Sequence, residues 1–307
     1  MAISRAVYVL LVLLTTITAS SIAHDTRQNT TADCVATLDG ATFPFLVPDY
    51  VVWEQMFSRS QVPDAASGLP EVAVELQLSE PAGKALASIS AAALKRADAV
   101  RTAPRRQSGL PPEAMAADLV LEARDDMLRM LSRVDFDRVT EHMEGRRRQA
   151  RYTFPKPGKR ATNENQIFKC PVSINGREHP ELIPEAFFWE FHLTVLASVS
   201  ADHRTGPNTF ATPYISTLRQ IELPIPEPDV ITLLNHAAST AATIESVRNT
   251  SLGIYGRGEE REAAVARAVQ AARLQLLLRL PKSSWMIVNR HAKSRRGGIV
   301  YHFPTSF

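Results

Sequence analysis

Residues 34–54 read CVATLDGATFPFLVPDYVVWE, and residues 170–190 read CPVSINGREHPELIPEAFFWE. The two stretches align without a gap at a constant offset of 136 (170 − 34). The pairs that are identical at this offset are Cys34/Cys170, Gly40/Gly176, Pro44/Pro180, Leu46/Leu182, Pro48/Pro184, Trp53/Trp189 and Glu54/Glu190. A match at one fixed period indicates an internal repeat, and two copies indicate a tandem duplication rather than a solenoid.

Two further blocks extend the repeat to the ends of both copies. At an offset of 149 (280 − 131) the identical pairs are Leu131/Leu280, Val139/Val288, His142/His291, Arg146/Arg295, Arg147/Arg296, Tyr152/Tyr301, Phe154/Phe303 and Pro155/Pro304. A middle block at an offset of 147 (227 − 80) matches Glu80/Glu227, Pro81/Pro228, Leu86/Leu233, Ala91/Ala238, Val100/Val247 and Arg101/Arg248. The repeat predicts domain one at 34–155 and domain two at 170–307. Residues 156–169, which begin with Pro, Gly and charged residues, are the predicted linker.

The apolar residues of both copies fall at helical rather than alternating spacing. Pro48 and Pro184 each precede an acidic residue, which is favourable in the first turn of a helix. Helices are predicted at about 48–57, 79–101, 111–131 and up to 149, with counterparts at 184–199, from 227 and over 259–280. Each copy ends in an extended aromatic piece, at 152–155 and 301–304. The predicted fold is all-α, with two tandem duplicated helical bundles of about four helices each.

The N-terminus has the pattern of a secretory signal peptide at 1–23. Arg5 supplies the positive charge, Ala6 to Leu14 form a short apolar run, and Ser21 to Ala23 place small residues before the cleavage point. The polar residues 24–33 are predicted to be disordered. The prediction is a secreted or periplasmic protein with no transmembrane segment in the mature chain. An uncleaved N-terminal anchor is the alternative, because the apolar run is short.

The chain has two cysteines, Cys34 and Cys170, at matched positions of the repeat. Export favours oxidation, and matched positions near a pseudo-two-fold axis can meet. A Cys34–Cys170 disulfide is one interpretation, and two free buried thiols are the other. No pair of histidines accompanies the cysteines, so no metal site is predicted there.

Adjacent arginines recur in both copies as Arg146-Arg147 and Arg295-Arg296. The net charge is only +3, so these are local patches. They are candidate anion-binding residues for phosphates, lipid headgroups or an acidic polymer of the cell envelope. Solvated helix ends are the alternative. The expected partner is an anionic envelope component or another protein, and export disfavours nucleic acid.

Glutamates and histidines at matched positions are the candidates for chemistry. Glu54 and Glu190 follow a Trp in an apolar helix, where a carboxylate could act as an acid or base if unpaired. The favoured interpretation is an ion pair of Glu54 with Arg124 and of Glu190 with Arg273. His142 and His291 lack partners at metal-ligand spacing, which favours helix-edge histidines. No hydrolase or metalloprotease motif is present, and no cofactor is predicted.

The layout of copy one also carries a resemblance. Leu78-Ser79 opens one predicted helix, and Leu131-Ser132 opens another after Ala123-Arg124-Asp125. This layout resembles uncharacterised secreted bacterial helical proteins, and is similar to LTxxQ-type periplasmic proteins, which include stress chaperones and metal-response proteins. LSEPA and LSRVD stand where that motif has its Gln. The resemblance implies a helical envelope protein and no site residue.

Two functions follow as hypotheses. The first is an exported, non-enzymatic helical binding or scaffold protein of the cell envelope. The second is a hydrolase or metal-dependent enzyme that uses Glu54 and Glu190, or His142 and His291, in a site between the two repeats. The two differ in whether Glu and His side chains meet in one concave site.

Overall fold

The computed structural model describes residues 36–103, 110–154, 173–202, 223–250 and 258–302. The predicted signal peptide, the segment 24–33, the linker 156–169, Cys34 and Cys170 lie outside these ranges, so the predictions made for them stay predictions. Helices dominate the described chain, which confirms the all-α class. Each helix in these ranges is too short or too polar to cross a bilayer.

The order of elements in the first half recurs in the second. The first half, residues 36–154, contains β1 (Ala36–Asp39), α1 (Asp49–Arg59), α2 (Glu71–Glu75), α3 (Glu80–Thr102), α4 (Pro112–Met130), α5 (Arg133–Gln149) and β2 (Arg151–Phe154). The second half, residues 173–302, contains β3 (Ser173–Asn175), α6 (Glu185–Asp202), α7 (Glu227–Asn249), α8 (Gly258–Arg279), α9 (Lys282–Ser294) and β4 (Val300–His302). Among the described elements, α2 and a 3₁₀ turn at Arg295–Gly298 have no counterpart in the other half. A 3₁₀ turn precedes α1 at Pro44–Leu46 and α6 at Pro180–Leu182.

A two-stranded antiparallel ladder joins the start of each half to its end. β1 pairs with β2, with Ala36 opposite Phe154, and β3 pairs with β4, with Ser173 opposite His302. The extended pieces at the ends of the copies were predicted, whereas β1 and β3 were not. Strands of three or four residues are too short to show a two-residue alternation clearly.

Gly40 and Gly176 lie just after β1 and β3, where the backbone runs close to the last helical turn of the same half. Their amides donate to the carbonyls of Ala150 and Ile299 at 2.8 and 2.9 Å. A Cβ at Gly40 would collide with the carbonyl oxygen of Arg147, and one at Gly176 with that of Arg296. The matched glycines are therefore required by close backbone approach.

The halves pack on each other reciprocally. The 3₁₀ turn before α6 contacts α4 of the first half, and the 3₁₀ turn before α1 contacts α8 of the second. α6 is the most apolar of the long helices, and Phe188, Trp189, Leu193 and Leu196 are fully buried along it. Phe191 of the same helix is half exposed.

Candidate functional site

The glutamates that follow the two tryptophans pair with different arginines from those predicted. Arg101 Nη1 lies 2.5 Å from Glu54 Oε1, and Arg248 Nη2 lies 2.7 Å from Glu190 Oε1. The predicted Glu54–Arg124 and Glu190–Arg273 pairs are therefore wrong. The N-terminal part of the next long helix adds a second carboxylate to each arginine, Glu113 at 2.9 Å and Glu262 at 3.4 Å.

These two triads are partly exposed and lie within one half each. Burial raises the pKa of Glu190, although Arg248 opposes it. Arg101 and Arg248 were already matched by the repeat, so a search for partners among matched residues of opposite charge could have found both pairs. The choice of Arg124 and Arg273 failed because those arginines serve a different cluster.

That cluster is a buried ionic network in which the two halves meet. Arg124 Nη1 lies 2.6 Å from Glu185 Oε2, and Arg273 Nη2 lies 2.7 Å from Asp125 Oδ1. Each of these four side chains is 5% exposed or less. Because Arg124 and Asp125 come from α4 while Glu185 and Arg273 come from α6 and α8, the network ties the halves together.

A fifth and a sixth charge complete the network. Asp49, at the position matched to Glu185, is ion-paired with Arg147, and both are buried. Three arginines thus face three carboxylates, and their formal charges cancel. Burial opposes ionisation of Glu185, but Arg124 and Arg273 outweigh it and lower its pKa to about 2. A compensated buried network of this kind is sensitive to the loss of any one member.

The structure places the four candidate anion-binding arginines in two environments. Arg147 and Arg296 are buried, and Arg296 Nη2 lies 2.6 Å from Asp118 Oδ1. Arg146 and Arg295 are half-buried near the surface, and Arg295 Nη2 lies 3.3 Å from His291 Nε2. The charges of Arg147 and Arg296 are therefore balanced by carboxylates inside the protein. Anion binding by the four arginines stays a prediction.

The two candidate histidines lie apart. His291 Nδ1 is 3.4 Å from Nδ1 of His192, a buried histidine that the sequence did not single out. Burial, followed by His291 and Arg295, lowers the pKa of His192 to about 3. Burial also lowers the pKa of His142, which is half-buried on α5 near Glu75 and Arg59. Neither His142 nor His291 lines either of the two grooves described below.

A groove of about 610 Å³ lies between α4 of the first half and α9 of the second. We call it the α4–α9 groove. Asp118, Glu122 and Asp126 lie four residues apart on α4 and form an acidic wall. Lys282, Arg290 and Lys293 of α9 form a basic wall.

Ion pairs join the acidic wall to the basic wall at both ends of the groove. Lys282 Nζ lies 2.6 Å from Asp126 Oδ1, and Lys293 Nζ lies 3.0 Å from Asp118 Oδ1. Burial opposes ionisation of Asp118, but Arg296 and Lys293 lower its pKa overall. Glu122 and Arg290 lie between the two ends, so the charges at mid-groove are separate from those that hold the walls together.

Asp125, Trp285 and Asn289 line the inner side of this groove. The Trp285 indole donates from Nε1 to Asp125 Oδ2 at 3.1 Å, and its ring stacks on Trp189 at a centroid distance of 5.3 Å. Asn289 is 5% exposed, and its Nδ2 donates to Asp125 Oδ2 at 3.5 Å. Its other amide atom, Oδ1, has no hydrogen-bond partner among the described residues. It is one of eleven buried side-chain polar atoms without a partner in the described residues, and Glu181 Oε2 is the other acceptor oxygen among them. A buried acceptor without a donor is costly, so a donor supplied by a ligand in this groove would be favourable.

A second groove, of about 280 Å³, lies between α5 and α8. We call it the α5–α8 groove. It is formed by the matched helices of the opposite halves, since the 149-residue offset relates α4 to α8 and α5 to α9. Ala271 replaces Glu122, Thr140 replaces Asn289, and Glu141 replaces Arg290. At these three matched positions the smaller groove thus lacks the glutamate, the amide and the arginine of the larger one, although Gln270 and Arg267 line it elsewhere.

Within the described ranges, no group of three His, Cys, Asp or Glu side chains is placed to hold a metal ion. The chain matches no family model, no curated protein and no solved structure. The α4–α9 groove is therefore the candidate site on its geometry alone. The sequence did not reveal this groove, because its lining residues come from both halves. The repeat draws attention to residues that are identical at matched positions, whereas Glu122, Asn289 and Arg290 differ from their matched residues.

Proposed function

We propose that this is an exported, non-enzymatic helical binding protein of the cell envelope, and that the α4–α9 groove is its ligand site. The observation that carries the proposal is the unpartnered Oδ1 of Asn289 in a groove whose volume is typical of small-molecule sites. A ligand that donates an N–H or O–H to this oxygen would remove the cost of leaving it unpaired.

The placement of the other candidates supports binding over catalysis. Glu54 and Glu190 are held in triads within their halves, and His142 and His291 lie outside both grooves between the halves. A hydrolase or metal-dependent enzyme with a site between the repeats remains the alternative. An enzyme of this kind would need the Glu and His side chains to meet in one concave site, and the contacts that these side chains make do not favour such an arrangement.

The binding proposal includes an internal duplication. The recurrent order of elements, the two Glu–Arg–Glu triads and the two crossed grooves all support descent of both halves from one ancestral unit. Superposing residues 36–154 on 173–302 of an experimental structure should bring Trp53 onto Trp189. Different helix directions in the two halves would contradict the duplication.

Two further parts of the proposal concern the surface and the cysteines. An anionic envelope component would contact Arg146 and Arg295, because their charges are less enclosed than those of Arg147 and Arg296. A Cys34–Cys170 disulfide would link the segments that lead into β1 and β3. Mass spectrometry of the unreduced protein should then show two hydrogens fewer than the reduced form.

The test of binding uses the full chain with its leader, expressed for export and purified without denaturation. Native mass spectrometry should show the mature chain beginning at His24 and carrying a non-covalent small-molecule adduct. An Asn289→Thr variant, which copies the matched Thr140, should lose the adduct while Thr140→Asn keeps it. Absence of an adduct on the wild type, together with no thermal shift from the small-molecule fraction of the envelope extract, would contradict the proposal.

A further inference from the structure

The middle of the α4–α9 groove carries one charge of each sign that the fold does not use. Glu122 projects from the acidic wall and Arg290 from the basic wall, and both are exposed. Neither forms an ion pair with any residue that the structure describes, although the charges on either side of them on the two walls are paired across the groove. Arg177, in the turn after β3, lines the same groove and is also without an ion pair among the described residues. Two unpaired charges of opposite sign on facing walls suit a ligand that itself carries both signs.

The surroundings of these two charges indicate the body of the ligand. Asn289 Oδ1 offers an acceptor on the inner side, which suits an amide N–H or a hydroxyl. Leu110 and Met286 line the same groove, and each is 48% exposed. Exposed apolar side chains beside a buried polar acceptor favour a molecule with an apolar group and a hydrogen-bonding backbone.

We infer that the α4–α9 groove binds a short peptide with free termini. Glu122 pairs with its ammonium group, Arg290 pairs with its carboxylate, and Asn289 Oδ1 accepts from a peptide N–H between them. Leu110 and Met286 contact an apolar side chain of the peptide. The inference rests on the proposed function, since it names the ligand class of that same groove.

The probes are pools of the tripeptides Ala-X-Ala, in which X is each of the twenty amino acids, measured by isothermal titration calorimetry on the mature full chain. The same pools are prepared with an acetylated N-terminus or an amidated C-terminus. Free peptides with an apolar X should bind best. Each blocking group should weaken binding about two- to fivefold, which is the range of one exposed ion pair.

Variants assign each end of the peptide to one wall. Glu122→Gln should weaken binding of the free peptide but leave the N-acetylated peptide unchanged. Arg290→Gln should weaken binding of the free peptide but leave binding of the C-amidated peptide unchanged. Asn289→Thr should weaken all three forms about tenfold, because the amide oxygen that accepts the peptide N–H is replaced by a shorter hydroxyl. Glu141→Gln, at the position in α5 that matches Arg290, is the control and should change nothing.

The results separate this inference from the proposed function. An Asn289-dependent adduct that carries no ammonium or carboxylate would overturn the peptide while the binding protein stands. Equal binding of free and blocked peptides, or no binding of any free pool at millimolar concentration, would also overturn it. If the wild-type protein carries no adduct and also binds no peptide, the proposed function is contradicted as well.

Discussion

The α4–α9 and α5–α8 grooves occupy matched places in the two halves, yet their charges are arranged differently. At three matched pairs the sign is reversed, namely Asp118/Arg267, Arg290/Glu141 and Lys293/Glu144. In the α5–α8 groove, Glu144 pairs with Arg147 of its own helix at 3.1 Å, whereas Lys293 pairs with Asp118 across the other groove. Arg147 also pairs with Asp49 of α1 and donates to Gln270 of α8, so both grooves hold charged contacts between helices. Among the described residues, Glu122, Arg177 and Arg290 line the α4–α9 groove without an ion pair, whereas Arg267 is the unpaired charge of the α5–α8 groove. The α4–α9 groove therefore offers unpaired charges of both signs, and the α5–α8 groove offers one positive charge. The difference supports the proposed ligand site in the α4–α9 groove, while the buried network along the α5–α8 groove supports a structural role for that groove.

The largest expected effect comes from the ionic network between the grooves. Arg124→Met and Arg273→Met should each lower the free energy of unfolding by about 3–5 kcal/mol, because each leaves buried carboxylates uncompensated. Urea unfolding followed by circular dichroism measures the change. Arg133→Met is the control, since its pair with Asp137 is exposed and should cost under about 1 kcal/mol. A loss below about 1 kcal/mol for both buried arginines would mean that the network does not hold the halves together.

The glycines of the two ladders test whether the halves depend on the same backbone contact. Gly40→Ala and Gly176→Ala should each cost about 3 kcal/mol, because the new Cβ meets a backbone carbonyl that cannot rotate away. Thermal unfolding should show similar losses for the two variants. Gly145→Ala is the control, since a Cβ there has open space and should stabilise α5 by about 0.5–1 kcal/mol. A large loss in only one half would show that the ladders are not equivalent.

A smaller effect distinguishes the halves by pH. His192 occupies the position of Met56 in the first half, and its pKa falls from an ordinary 6.5 to about 3 on folding. The unfolded chain therefore binds a proton below pH 6.5 that the folded chain does not, so stability is full above pH 6.5 and declines as the pH falls. At about 1.4 kcal/mol per pH unit, the loss between pH 8 and pH 5 should be about 2 kcal/mol.

The matched control copies the first half. His192→Met should remove about 2 kcal/mol of the pH-dependent loss, as measured by urea unfolding at pH 8 and pH 5. If His192→Met retained the whole dependence, the buried histidine would not be its source.

The sequence predicted the helices well because the repeat and the helical spacing of apolar residues are local signals. The long helices α4 and α8 end at Met130 and Arg279, next to the matched Leu131 and Leu280. The strands β1 and β3 escaped prediction because ladders of three or four residues depend on a partner far along the chain. The pairing of Glu54 was wrong because sequence position does not show which of several matched arginines a helix face will meet.

The candidate groove was beyond the reach of this reasoning for a related reason. Glu122, Asn289 and Arg290 are not conserved between the copies, so the repeat gives them no weight. Their meeting depends on the crossed packing of α4 against α9, which no spacing within one half reveals. Differences between residues at matched positions point to a groove only when the fold shows which of these positions line it.

The most direct test of the central claim uses the three tryptophans of the chain as reporters. Trp285 lines the α4–α9 groove, Trp189 stacks on it, and Trp53 lines the α5–α8 groove. Indole signals in a ¹H–¹⁵N correlation spectrum of the mature protein are followed as the small-molecule fraction of the envelope extract is added. If the α4–α9 groove is the ligand site, the Trp285 signal should shift, the Trp189 signal should shift less, and the Trp53 signal should stay in place. A shift of Trp53 with Trp285 unchanged, or no shift of any indole, would contradict it.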